Sequence, residues 1–182
     1  VKGEKLGYHP KGDWILNDSI NPNAKPAGMD PALQLDYVPP RGPRKALNQE
    51  YDGIGYTSVN PPDPDIDVSP THVIQMINGS GGAYYKIYDR ITGAVVVNQT
   101  YFDSFTGIGG LGDPIVLYDQ LADRWLMSEF SNGGNLLVVA ISVTNDPTGT
   151  WDIYSYQAPQ FPDYPKYAVW PNAYVVTSNE ST

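Results

Sequence analysis

The feature that most constrains the fold is a motif that returns every 50 residues. Asp63 and Asp113 are each followed by proline, and Asp163 opens a similar Asp-Tyr-Pro triplet. Each copy continues with a short apolar stretch, a turn and a second apolar stretch. A fixed period of this length is typical of proteins built from repeated supersecondary units. We therefore predict repeats that begin near residues 63, 113 and 163.

The apolar stretches after residue 50 are short, rich in Val, Ile and Tyr, and bounded by Gly, Pro, Asn and Asp. This pattern predicts β-strands, and no stretch keeps a helical period long enough to compete. The middle repeat is predicted to hold four strands, at residues 115–118, 124–130, 136–143 and 151–156. Four strands per repeat of this length is the unit of a β-propeller blade.

The predicted fold is therefore all-β, a β-propeller of which the chain contains about two and a half four-stranded blades. Because a propeller needs at least about four blades to close, the remainder is expected from another chain, such as a C-terminal fragment or other subunits, or is missing. Residues 51–182 form this partial propeller. Residues 1–50, rich in Pro, Asn, Lys and Gly, are predicted to be an extended N-terminal arm. Its basic cluster of Arg41, Arg44 and Lys45 is either a solvated loop or a processing site.

The net charge and the composition exclude several classes of partner and site. The net charge of −9 repels phosphate backbones, so nucleic acid is not expected as a partner. No apolar run is long enough to predict a membrane span. The chain has no cysteine, which excludes disulfides and thiolate metal sites. Four Asn-X-Ser/Thr triplets are candidate glycosylation sites if the chain is secreted from a eukaryotic cell: Asn17, Asn78, Asn98 and Asn179.

A glycine-rich stretch precedes the middle repeat. Gly107, Gly109 and Gly112 match the spacing of a dinucleotide-binding loop, but such a loop needs a helix after it, and an Asp-Pro and a strand-like run follow here. We therefore expect no nucleotide cofactor. The glycines are predicted to turn the chain from the outer strand of one repeat to the first strand of the next.

Several segments between residues 51 and 179 resemble a group of large secreted β-propeller proteins of bacteria and some fungi. The resemblance rests on "NPPDPDIDVSPTHVIQMIN", "KIYDRITG", "GDPIVLYDQLADRWLMSEF" and "FPDYPKYAVWPNAYVVTSN". "TNDPTGTW" (144–151) also resembles the Asp-box of sialidases and related propellers, although its glycine is one place late. The resemblance implies a propeller fold and an extracellular location, and it carries over no catalytic residues. In an Asp-box the Asp and Thr hydrogen-bond the hairpin and the Trp packs between sheets.

The repeat aspartates are the first candidate site. Asp63, Asp113 and Asp163 are expected at the entry of each innermost strand, where carboxylates would converge on the channel. They either hold a hard cation, Ca²⁺ or Mg²⁺, or cap their local turns. Asp63, Asp65 and Asp67 alternate and are therefore predicted to share one strand face.

The predicted function is an extracellular propeller module that presents a binding face, for glycans or another extracellular polymer. Tyr164 and Trp170, expected on loops, are candidates for stacking on sugar rings. Two alternatives remain. One is a polysaccharide hydrolase or lyase with its site at the propeller channel and catalytic residues unknown. The other is a structural module of a cell-surface or filamentous assembly.

Overall fold

The computed structural model describes residues 50–131 and 133–181. The predicted N-terminal arm, apart from Glu50, lies outside the described residues, and with it the basic cluster and the candidate acceptor Asn17.

Ten strands in the described part of the chain form three antiparallel sheets, each in sequential strand order. Sheet 1 contains β1 (Asp65–Val68), β2 (His72–Gly79), β3 (Gly82–Asp89) and β4 (Val95–Tyr101). Sheet 2 contains β5 (Gly110–Asp119), β6 (Arg124–Ser131), β7 (Leu136–Ser142) and β8 (Trp151–Gln157). Sheet 3 contains β9 (Phe161–Trp170) and β10 (Ala173–Ser181), and the helix α1 (Phe102–Thr106) lies between β4 and β5. The prediction of an all-β chain with four-stranded units is confirmed.

The central strands of sheet 2, β6 and β7, are buried on both faces. On one face, Trp125 and Met127 pack against Ile74 and Met76 of sheet 1 in the main hydrophobic core. On the other face, the ring of Phe130 meets that of Phe161 in β9, with ring centroids 4.7 Å apart. A strand that is buried on both faces needs no polar residues in alternation. This explains why β6 and β7 appear in the sequence as continuous apolar runs.

Two aspartates of β1 bind the neighbouring sheet. The Val116 N–H of β5 donates to the Asp65 carboxylate at 2.8 Å, and the Tyr118 N–H donates to the Asp67 carboxylate at 2.6 Å. β5 has a strand partner on one side only. Its alternate N–H groups would otherwise be unpaired, at a cost comparable to a lost hydrogen bond. Asp65 and Asp67 do share a face, as the alternation predicts.

The glycine-rich connector has the predicted backbone role. Gly107, at φ +73°, ends α1, and its N–H donates to the Asp103 carbonyl at 2.7 Å. Gly112, at φ +124°, lies where the β5–β6 register shifts. The short helix α1 itself was not predicted, since Phe102 reads as the end of a strand.

The Asp-box-like turn stabilises its hairpin. The Asp146 carboxylate accepts hydrogen bonds from the Thr148 N–H at 2.9 Å and the Thr148 hydroxyl at 2.7 Å. The indole N–H of Trp151 donates to the Pro147 carbonyl at 3.0 Å, and its ring contacts Phe105 edge-on. The threonine that bonds the Asp146 side chain is Thr148, which is not the threonine of the motif, and the resemblance to an Asp-box stays a prediction.

No helix in the described ranges is both long enough and apolar enough to cross a membrane.

The aspartate contacts between sheets 1 and 2 make a first prediction. Asp67→Ala should lower the free energy of unfolding by about 1–3 kcal/mol, because the Tyr118 N–H loses its acceptor. Urea unfolding followed by Trp fluorescence measures this. Asp152→Ala, at an exposed position on β8, is the matched control and should cost about 0.5 kcal/mol or less. Equal losses in both variants would contradict a specific role for Asp67.

Candidate functional site: a cleft at the entry of the first strands

A cleft of about 240 Å³ lies where β1, β5 and β9 begin. Three tripeptides with a central proline line it, one from each strand: 63–65, 113–115 and 164–166. The cleft is thus built from the same element of each repeat. Its walls carry carboxyl groups, an aromatic ring and an ammonium group.

The structure corrects the register of the third repeat. Asp63 and Asp113, each directly before a proline, have positive φ angles of 37° and 48°. In the third repeat this conformation belongs to Tyr164, at φ 53°, before Pro165. The equivalent of Asp113 is therefore Tyr164, one residue later than predicted. Asp163 does not line the cleft. The prediction was wrong because it aligned Asp163 with Asp63 and Asp113 by residue type. The shared backbone conformation instead belongs to the residue directly before the proline, which is Tyr164 in the third repeat.

Asn78 of β2 holds the first two tripeptides together. Its amide nitrogen donates to the Asp63 carboxylate at 2.8 Å and to the Pro61 carbonyl at 3.0 Å. Its amide oxygen accepts the Asp113 N–H at 2.8 Å. A Cβ at Gly112 would lie 2.3 Å from this oxygen, so only glycine fits there. One side chain thus ties the Asp63 carboxylate to the backbone of Asp113.

Asp63 perturbs the carboxyl group of Asp113. Burial raises the pKa of Asp113, and the charge of Asp63 and a side-chain hydrogen bond between the two residues raise it further. The Tyr164 N–H opposes the shift by donating to Asp113, while the more distant charge of Asp163 adds to it. A neutral Asp113 can donate to Asp63, so the pair is suited to sharing one proton. The pKa of Asp65 is also raised, chiefly by burial, against the Val116 N–H and the charge of Lys166.

The predicted cation site gains no support from this geometry. In residues 50–131 and 133–181, no three His, Cys, Asp or Glu side chains are grouped so that they could hold a metal ion. Of the three predicted ligands, Asp63 and Asp113 converge and Asp163 stays outside the cleft. Ca²⁺ binding by these residues stays a prediction.

The two candidate stacking residues are separated. Tyr164 lies on the cleft wall with 59% of its surface exposed, and the Lys166 ammonium sits 4.0 Å from its ring centroid. Trp170 is 68% exposed and lies at the other end of β9, beside the turn to β10. Six residues of strand place them about 20 Å apart. They cannot stack on the same sugar ring.

The candidate glycosylation sites fall into two groups. Asn98 and Asn179 are exposed on β4 and β10. Asn78 is buried, and its amide nitrogen is already the donor of two hydrogen bonds. In the folded chain Asn78 is therefore not an accessible acceptor, and its role is the structural one described above.

A buried acid that does not line the cleft was not predicted from the sequence. Glu129 of β6 has no exposed surface, and burial raises its pKa to about 8. Its carboxylate accepts the Ala83 N–H of β3 at 2.8 Å. A single acid inside the apolar run "RWLMSEF" is the signal that could have identified it.

No protein-family model, curated protein or solved structure matches this chain.

The Asp63–Asp113 pair predicts a pH dependence. Because the pKa of Asp113 is raised in the folded chain, its contribution to stability is full at low pH and is lost as pH rises through the folded pKa. Asp113→Asn removes this loss, and asparagine tolerates a positive φ. The melting temperature of the variant relative to the native chain should therefore rise with increasing pH above about 4, the ordinary pKa of an aspartate. Asp152→Asn, on the exposed outer strand β8, should show a constant offset. A constant offset for Asp113→Asn would contradict the coupling.

Proposed function

We propose that the described residues form part of a β-propeller and that the cleft binds carbohydrate. Two features support the propeller. Sheets 1 and 2 have the same sequential strand order, and sheet 3 begins with the same two strands. The first strand of each sheet contributes to one common cleft. First strands that meet in this way are what the centre of a propeller requires.

The observation that carries carbohydrate binding is the placement of an exposed tyrosine ring beside carboxyl groups in one cleft. Tyr164 lies across from Asp63 and Asp113. Sugar rings have an apolar C–H face that packs on an aromatic side chain and hydroxyl groups that donate to carboxylates. Sites for small ligands combine apolar surface with a few convergent polar groups in this way.

The charges of the cleft favour neutral or amino sugars over acidic ones. Three aspartates line it, Asp63, Asp65 and Asp113, against one cation, Lys166. The whole chain also carries a net charge of −9. An acidic polysaccharide would approach against this field.

Tyr164→Ala tests the proposal. We expect about a five- to tenfold loss of affinity for the best oligosaccharide in a panel of cello-, xylo-, chito- and β-glucan oligosaccharides, because ring stacking contributes about 1–1.5 kcal/mol. Isothermal titration calorimetry measures the affinity. Alanine and tyrosine both disfavour the positive φ at position 164, so the substitution does not relieve a backbone strain that only tyrosine would have. Trp170→Ala and Tyr156→Ala remove exposed rings away from the cleft and should leave binding unchanged. Binding that depends on Trp170 and not on Tyr164 would refute the cleft.

A second candidate function, a polysaccharide hydrolase, is favoured by the Asp63–Asp113 pair. Asp113, with its raised pKa, is suited to protonate a glycosidic oxygen, and the Asp63 carboxyl group beside it is the candidate base or nucleophile. A pair of carboxyl groups is the usual basis of this chemistry.

Release of reducing ends from the same oligosaccharide panel tests the enzyme. If the pair is catalytic, Asp113→Asn should lower kcat at least a hundredfold, because the acid is lost, while calorimetry still detects binding. Tyr164→Ala should instead weaken binding. If the native chain binds an oligosaccharide and releases no reducing ends, the cleft is a binding site and not a hydrolase.

A further inference from the structure

Glu129 joins the two four-stranded sheets through a single buried carboxyl group. It stands on β6 with no exposed surface. One carboxyl oxygen, Oε2, accepts the Ala83 N–H of β3 at 2.8 Å. The other, Oε1, is buried and has no hydrogen-bond partner. A buried carboxylate with one unsatisfied oxygen is costly, so this position favours the neutral acid.

Glycine backbones make room for the carboxyl group. A Cβ at Gly110 would lie 2.0 Å from its Cδ atom, so a side chain at this position would occupy the same space. A Cβ at Gly82 would come 3.5 Å from Oε2, which is ordinary contact, but Gly82 has a φ of +127° that other residues rarely adopt. β3 and β5 therefore approach β6 closely around Glu129, and little space remains for water.

The electrostatic surroundings also oppose an ionised Glu129. Burial makes the largest contribution to its raised pKa, and the charge of Asp103 on α1 adds to it. From β3 and β5, the groups that act on it are the backbone N–H groups of Ala83 and Gly112, which lower the pKa. No cationic group among the described residues acts on Glu129 in the opposite direction.

We propose that Glu129 is a proton-operated latch between sheets 1 and 2. With the proton bound, the neutral carboxyl group seals the contact of β6 with β3 and the start of β5. When the proton is lost at mildly alkaline pH, the buried charge can be solvated only if water enters between β3 and β5, so this contact opens locally. The proposal concerns the sheet contact and does not depend on carbohydrate binding.

The latch predicts a defined pH window. The pKa of Glu129 is raised from 4.5 to about 8 in the folded chain. The folded chain therefore holds its proton more tightly, and the stability that this provides is lost as pH rises from about 5 to about 8. Above that range no further loss comes from this group.

Amide hydrogen exchange by NMR tests the latch. In the native chain, protection of the Ala83 and Gly112 amides, corrected for the intrinsic exchange rate at each pH, should fall more than about tenfold between about pH 6 and pH 8. The buried Ala140 amide of β7 serves as the internal reference. In Glu129→Gln, which cannot ionise, protection at Ala83 and Gly112 relative to Ala140 should not change with pH. A fall of the same size in Glu129→Gln, or no fall in the native chain, would overturn the proposal.

A second variant keeps the test decisive if Glu129→Gln does not fold. Asp103→Asn removes the charge that raises the pKa of Glu129. It should make Glu129 a stronger acid, move the midpoint of the opening to lower pH and reduce its amplitude, because the pKa difference between the closed and the open state becomes smaller. If Glu129 had a structural role and did not titrate, the pH midpoint of the opening would be the same in Asp103→Asn as in the native chain. An unchanged midpoint would therefore contradict the latch.

Discussion

The arrangement of the sheets depends on side chains of one sheet that satisfy backbone groups of the next. Asp65 and Asp67 accept the free N–H groups of β5, and Asn78 accepts the N–H of Asp113. An unpaired strand edge would need water or another strand. Here Asp65 and Asp67 of the preceding repeat accept these N–H groups. The edge of β5 can therefore lie against β1 although the two strands are not paired in one sheet. The cleft exists because the first strands can approach in this way.

Close approach of the backbones determines the rest of the site. The Asn78 amide oxygen leaves no room for a Cβ at Gly112, and the Glu129 carboxyl group leaves none at Gly110. The same few residues therefore place the Asp63 and Asp113 carboxyl groups side by side and bury Glu129 between sheets. Acidic groups in such surroundings hold their protons more tightly. The chemistry of the cleft and the pH sensitivity of the sheet contact have this common origin.

The strands were predictable because they depend on local pattern. The starts of β6, β7 and β8 coincide with the prediction, and the other ends of the middle repeat shift by one to five residues. The five-residue α1 was not predictable, since a single helical turn has no period. The cleft was predicted in part. Asp63 and Asp113 meet there, whereas Asp163 was chosen by residue type and gives its place to Tyr164.

The sequence alone determined the all-β class, the repeat of about 50 residues and the turn residues, because strand propensity and turn chemistry are local. Only the tertiary structure decided which side chains become functional. Asn78 appeared to be a glycosylation site and proved to be the link between the Asp63 carboxylate and the Asp113 backbone N–H. Glu129 appeared to be one acid among many and proved to be buried without a countercharge. Burial and partners depend on residues from other repeats, and no local pattern encodes them.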